Sequence, residues 1–301
     1  MSWIFFAIAA PLLYAASNFF DKFLIEKRVR DPMMLAVLGG VLSFLTGLGI
    51  LVFRGFPNIH SGQLFYLLLA GVLFELAIVP WYKAISLEDV SRIAPLGQAI
   101  PVIVLILSYL FLDERLASGQ LLGFLSILVG GFLLSVKSFN NGIFKVRKAI
   151  WYMLAASLLF SVPLVLFKFV SLNLGFWDSL AYEFVGGGIG ALILFSYVLF
   201  SKRTGFKKEI TRTQFGTWGL IGSNEAIYVI SRMLTFYAIS LAAVSLVTVL
   251  GGFQPFFMLG FGLILSRWFP NVVKEDIEKK TVVLKLAAIV LIFAGVWFIN
   301  I

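Results

Sequence analysis

Ala84-Ile85-Ser86-Leu87, followed by Val90-Ser91, Leu96-Gly97 and Pro101, occurs twice in this chain. At 154 positions further on it reads Ala238-Ile239-Ser240-Leu241, then Val244-Ser245, Leu250-Gly251 and Pro255. Each copy joins the end of one long apolar segment, a very short turn and the start of the next. An upstream echo, at an offset of 146, returns Ala9-Ala10, Leu12-Leu13 and Lys22 as Ala155-Ala156, Leu158-Leu159 and Lys168. Two matches in the same order predict a duplicated half of about 150 residues.

Composition sets the class of that half. The chain is 60% hydrophobic and 13% charged, with a mean hydropathy of +1.00, whereas a soluble domain carries about 25% charged residues. A spanning helix needs roughly 20 mostly apolar residues. Windows of that kind fall near 3–21, 33–53, 62–82, 92–111, 119–137, 149–168, 178–200, 214–236, 243–265 and 282–300. The reading is an all-α membrane protein with ten transmembrane helices. Residues 1–140 and 141–301 form its two halves, joined near Asn140-Asn141-Gly142. Five helices per half is an odd number, so the second half enters the membrane upside down, an inverted repeat of the kind found in secondary transporters. Met1-Ser2-Trp3 opens an apolar run without a basic leader, which reads as a first membrane helix.

The net charge of +9 points to the membrane surface rather than to nucleic acid. Of the 24 Lys and Arg, 20 lie in or beside the odd connections, such as Lys27, Arg28 and Arg30, or Lys202, Arg203, Lys207 and Lys208. The even connections hold only Arg54, Arg115 and Lys168, and Arg232 is inside a helix. Positive residues stay in the cytoplasm, so the even connections and both chain ends are expected outside, in the cell (plasma) membrane. The swap of Lys83 and Arg92 for Tyr237 and Leu246 at the equivalent turn agrees with inversion.

Residues 101–134 read PVIVLILSYLFLDERLASGQLLGFLSILVGGFLL. An apolar helix ends in Asp113-Glu114-Arg115-Leu116, and Gln120, Gly123 and Gly130-Gly131 follow in the next helix. This segment closely resembles the EamA-type repeat of the drug/metabolite transporter superfamily. The second half departs from the pattern, with Ser266-Arg267-Trp268 where the acidic turn belongs. The resemblance implies a ten-helix carrier that moves a small organic solute by alternating access through a cavity between its halves. It also implies both termini in the cytoplasm, against the charge count.

Chemistry must come from polar residues at membrane depth, where an ionised side chain costs about 2.5–3.5 kcal/mol on insertion scales. Glu75 is mid-way along the third helix; Asn224, Glu225, Tyr228, Arg232 and Thr235 form one stripe on the eighth. Glu225 and Arg232 are separated by about 10 Å along the axis, suited to the two ends of a zwitterion; a structural pair, such as Glu75 with Arg232, is the other reading. The repeat sets Glu75 opposite Val229, so the acids are not symmetry mates. The expected substrate-binding set is Glu75, Glu225, Arg232, Tyr228, Asn224, Tyr14, Asn18, Tyr82, Gln98 and Gln254, with gating at Pro101 and Pro255, where a helix proline frees a carbonyl and permits bending. Ser17 and Asp21 share the first-helix stripe with Tyr14 and Asn18, and Lys22 lies beside it. Trp177, Asp178, Tyr182 and Glu183 open the seventh helix. Gly186-Gly187-Gly188 and Gly190 suit close helix contact.

No cysteine is present and His60 is the only histidine, so neither a thiolate nor a multi-histidine metal site is available. The chain reads as a carrier rather than an enzyme, with no cofactor and no metal. A membrane-embedded enzyme and an accessory membrane subunit are the alternatives. Its partners are lipid and a small-molecule solute, with an amino acid as the first expectation and a drug-like hydrophobic cation as the second. It reads as a monomer, with a dimer as the alternative. The acids at membrane depth are the candidate proton carriers.

Orientation is testable in this cysteine-free chain. A cysteine replacing Ala117 is expected to react with an impermeant maleimide on intact cells, and one replacing Ser201 only after permeabilisation. The reverse pattern places the termini inside.

Overall fold

The computed structural model describes residues 2–29, 33–87, 94–135, 148–200, 215–268 and 279–299. Among them every regular element is helical. The helices are α1 (Ser2–Lys27), α2 (Met33–Arg54), α3 (Ser61–Leu76), α4 (Ile78–Leu87), α5 (Ala99–Leu112), α6 (Ser118–Ser135), α7 (Lys148–Leu174), α8 (Phe176–Phe200), α9 (Phe215–Leu241), α10 (Val244–Val249), α11 (Gln254–Trp268) and α12 (Lys279–Ile299). Short 3₁₀ segments, Ala94–Gln98 and Leu250–Phe253, precede α5 and α11. Among the described residues, six segments are long and apolar enough to cross a membrane: Trp3–Asp21, Met33–Arg54, Ser61–Ala84, Lys148–Leu174, Phe176–Phe200 and Val244–Ile264. Shorter apolar helices cover Leu96–Leu112, Ser118–Leu134 and Leu284–Ile299. α9 has the length, at 27 residues, but carries Asn224, Glu225 and Arg232. The half junction at Asn140-Asn141-Gly142, the acidic pair Glu88-Asp89 and most odd connections lie outside the described residues.

Local chemistry explains the breaks. Pro80 has no N–H to give the preceding turn, and the helix steps at Ala77 between α3 and α4. The windows read as 92–111 and 243–265 each contain a 3₁₀ break. Pro101 and Pro255 therefore stand in the first turn of α5 and α11 rather than mid-helix. A missing N–H is harmless there. Prolines truly inside helices are Pro11 in α1 and Pro163 in α7. His60 is the N-cap of α3, its Nδ1 accepting from the Gly62 N–H at 3.2 Å.

The helices pack as long neighbours: α2 and α3 along α8, α1 along α9, α3 and α4 along α7, and α6 along α12. The glycines permit this. A Cβ on Gly47 of α2 would lie 2.6 Å from the Ala181 carbonyl oxygen and 2.9 Å from Phe184 Cβ on α8. A Cβ on Gly123 of α6 would lie 2.6 Å from the Gly295 oxygen on α12. Contact this close between backbones is how apolar helices associate without a solvent to expel them. At one end of the bundle the halves are also tied by polar contacts. Arg54 Nε meets Asp178 Oδ1 at 2.6 Å, and the Tyr182 hydroxyl donates to the Pro57 carbonyl at 3.0 Å. There the Tyr237 ring stands edge-on to Phe6 and close to Phe176.

Gly47→Val is expected to destabilise the protein by about 1–3 kcal/mol through overpacking. Gly49→Val, where nothing lies within 4 Å of the added carbon, is the control. Thermal unfolding in detergent separates them, and an equal loss in both sinks the account of the α2–α8 seam.

Candidate functional site

One cavity of about 370 Å³ runs through the middle of the bundle. It follows α1 from Ala7 through Pro11, Tyr14, Ser17 and Asn18 to Asp21, a reach of about 21 Å at 1.5 Å per residue. Helical spacing puts those residues on one face of α1. The opposite walls come from α3 and α4 (Phe74, Glu75, Trp81, Tyr82), α7 (Phe160, Leu164), α9 (Asn224, Glu225, Tyr228, Thr235) and the two broken spans. The breaks themselves line it, with Gly97, Gln98 and Pro101 on one side and Gly251, Gln254 and Pro255 on the other. The cavity therefore gathers Tyr14, Asn18, Glu75, Tyr82, Gln98, Pro101, Asn224, Glu225, Tyr228, Gln254 and Pro255 from both halves.

Arg232 is placed elsewhere, and this corrects its expected place on the wall. Its Nη2 donates to Glu183 Oε1 of α8, and the two side chains are 1% and 0% exposed. The guanidinium carbon stands 3.9 Å from the centre of the Phe74 ring, with Phe184 at 5.0 Å and Phe236 at 5.8 Å. Phe74 thus faces the cavity and also roofs the ion pair. Arg232 is not among the described lining residues, and its guanidinium is turned into the α8–α9 seam rather than toward the cavity beside Glu225. Glu75 is not its hydrogen-bonded partner either. The acid at position 183 takes that role, and only its place at the opening of a glycine-rich helix could have signalled it.

The acids that do line the cavity are Asp21, Glu75 and Glu225, and no Lys, Arg or His is among the described lining residues. Asp21 is held in a chain: Ser17 Oγ donates to Asn224 Oδ1 at 2.8 Å, and Asn224 Nδ2 donates to Asp21 Oδ1 at 2.7 Å. Glu75 is 2% exposed, and its Oε1 has no protein partner. Glycines make room for both glutamates. A Cβ on Gly39 would lie 2.7 Å from Glu225 Oε2, and one on Gly190 would lie 2.7 Å from Glu75 Cβ. Aromatic rings complete the walls. Tyr14 and Tyr228 meet edge to face at 5.5 Å, as do Phe74 and Phe160 at 5.2 Å. Chemically this is a concave, largely apolar site with a few convergent polar groups, biased towards positive charge. Sequence reasoning placed Asp21 only in the polar stripe of the first helix and passed over Trp81, Phe160, Thr248 and Met258 as wall residues. Trp81 beside Tyr82, after a helix proline, was the available signal.

The buried pair has its own expected outcome. Arg232→Met leaves Glu183 charged and unpaired, which costs about 3–5 kcal/mol. Glu183→Leu added to Arg232→Met is expected to restore most of the lost thermal stability. A single variant that unfolds normally but no longer binds solute would instead return Arg232 to the binding site.

Comparison with known proteins adds the following. The model of the EamA-like transporter family matches residues 1–136. An uncharacterized protein of Methanocaldococcus jannaschii is 26% identical over 136 residues, which are 45% of this chain and 97% of that one. An uncharacterized transporter in the cobO 3′ region of a Sinorhizobium species is 27% identical over 142 residues, again 45% of this chain and 97% of its own length. Each relative is thus about as long as one half. A solved crystal structure shares the fold, with a TM-score of 0.70 and 15% identity over 99% of this chain and 95% of its own. Residues 1–136 of this multi-pass membrane chain are thus similar to an EamA-like transporter unit, a family of the drug/metabolite transporter superfamily.

Proposed function

We propose that the chain is a secondary carrier of ten membrane helices, arranged as two inverted five-helix halves at 1–140 and 141–301, that moves a small organic solute across the plasma membrane by alternating access. The family match over the first half and the repeated motif 84–101 at 238–255 support the duplicated architecture. The two broken spans at the cavity support the carrier reading, since discontinuous helices recur at transporter binding sites. The segments around Pro101 and Pro255 are the natural places for bending.

The single observation that carries the substrate class is the lining: three carboxylates, several aromatic rings and no described cation. It favours an amine or other organic cation of modest size, held by Glu75 and Glu225 and stacked on Trp81, Tyr82 or Tyr14. An amino acid is the second choice, because Arg232 is engaged with Glu183 and its carboxylate would rest on the amides Asn18, Gln98 and Gln254. Carboxylates that face solute and water in turn suit the exchange of a proton for a cation.

Uptake into proteoliposomes tests both levels. Phenethylamine and tetraphenylphosphonium are expected to accumulate when the vesicle interior is acidic, and phenylalanine less so. Glu75→Gln with Glu225→Gln is expected to abolish that dependence on the proton gradient. Flux of phenylalanine alone overturns the cation reading. Chemical conversion without flux supports an enzyme, and neither flux nor conversion supports an accessory subunit.

A further inference from the structure

The end of the bundle at the 113–117 and 242–243 turns holds a polar device that cation binding does not use. Lys168, on α7, is buried, and its Nζ donates to the Ile239 carbonyl at 2.8 Å and the Ala242 carbonyl at 2.9 Å. Those carbonyls belong to the last turn of α9 and the residue just after it, where carbonyls lack helical partners and a cation is favoured. Two residues on, α10 begins, and its first N–H is taken from the other half. Val244 N–H donates to both oxygens of Glu114, at 3.0 and 3.1 Å, and Ser245 Oγ lies 3.5 Å from Oε2. Asp113 makes this possible. It ends α5 in the left-handed region, with φ of 50°, and turns the chain so that Glu114 points inward while Asp113 pairs outside with Arg115 at 3.0 Å.

Every element that meets here also walls the cavity. Pro101 of α5, Leu164 of α7, Thr235 of α9 and Val247 of α10 all line it. The space between is dry: Phe167, Phe236, Ile239 and Val244 are fully buried. Opening this end requires α10 to part from α5, and the Glu114 contact is the polar bond that crosses that line.

We propose that Glu114 and Lys168 form a latch that holds the cavity shut at the end bearing the 113–117 and 242–243 turns. Lys168 is the positioning residue: it fixes the turn so that the Val244 N–H faces Glu114. Glu114 is the tie between α5 and α10, beside the Arg54–Asp178 and Tyr182–Pro57 contacts that also join the halves at this end. The inference rests on the carrier reading, and its measurement needs no solute.

Two single-cysteine reporters in the full chain, in oriented membrane vesicles, read the two ends. Val247→Cys is labelled by an impermeant maleimide from the latch face, and Met258→Cys from the opposite face. Glu114→Ala and Lys168→Met are each expected to raise Val247 labelling about tenfold, the shift that follows from losing one charge-assisted hydrogen bond, and to lower Met258 labelling. Lys168→Arg, which keeps the donors, is expected to stay near the parent rate. Unchanged labelling at both reporters, or a rise at both together, overturns the latch, since a merely loosened fold exposes both ends. Absence of solute flux in the parent chain overturns the carrier reading instead and leaves the labelling result to stand by itself.

Discussion

Hydrocarbon does not tolerate an unpaired charge, and the interior of this molecule is arranged around that constraint. Besides Lys168 and Lys285, its interior acids and Arg232 divide into two kinds. Arg232 and Glu183 are neutralised by each other and roofed by Phe74, Phe184 and Phe236. Asp21, Glu75 and Glu225 face a cavity. The first kind is cemented into the α8–α9 seam and shapes the wall from behind. The second kind is in front of the wall, where a solute or water reaches it. This division supports the proposed cationic solute, because the guanidinium of Arg232 is spent on the structural side.

Backbone follows the same logic. A broken helix leaves N–H and C=O groups without intrahelical partners, and in lipid these must find others. Here both breaks, at Ala94–Gln98 and Leu250–Phe253, border the cavity rather than lipid. The short turn after α9 is met instead by Lys168 and Glu114, a cation on the carbonyl end and an anion on the amide end. Each irregular stretch is therefore placed where something other than hydrocarbon receives it.

Much of this was legible in the sequence because it depends on period and polarity. Apolar windows located the helices, six of which among the described residues are long and apolar enough to cross a membrane, and the stripe of Asn224, Glu225 and Tyr228 located one wall of the cavity. Gln98 and Gln254 were legible because each stands close to a proline of the repeated motif, Pro101 and Pro255. What was not legible depended on rotation about a helix axis. Arg232 shares a stripe with Glu225, yet a few tens of degrees of helix rotation decide whether it meets the cavity or the seam. Glu183 gave no sign of its partner, since the 49 positions between it and Arg232 carry no period. Glu114 and Asp113 are adjacent, and only the left-handed turn at Asp113 sends one to solvent and the other to α10.

An inverted repeat makes a stronger statement than resemblance between halves. If the halves were held alike, each contact would have a twin: α3 against α8 would be matched by α9 against α2. In this structure α3 packs along the whole glycine-rich face of α8, while α9 and α2 meet far less. Glu225 lies beside Gly39 in that looser region. The same comparison holds for the turns, since 238–245 is clamped by an acid from the other half, and the acidic turn that would serve 84–91 is replaced by Ser266-Arg267. On the proposed inverted-repeat reading, two halves packed this unequally leave one end held more tightly than the other. Alternating access would then exchange which half makes the tighter fit, with the difference in acidic turns favouring the end held by Glu114.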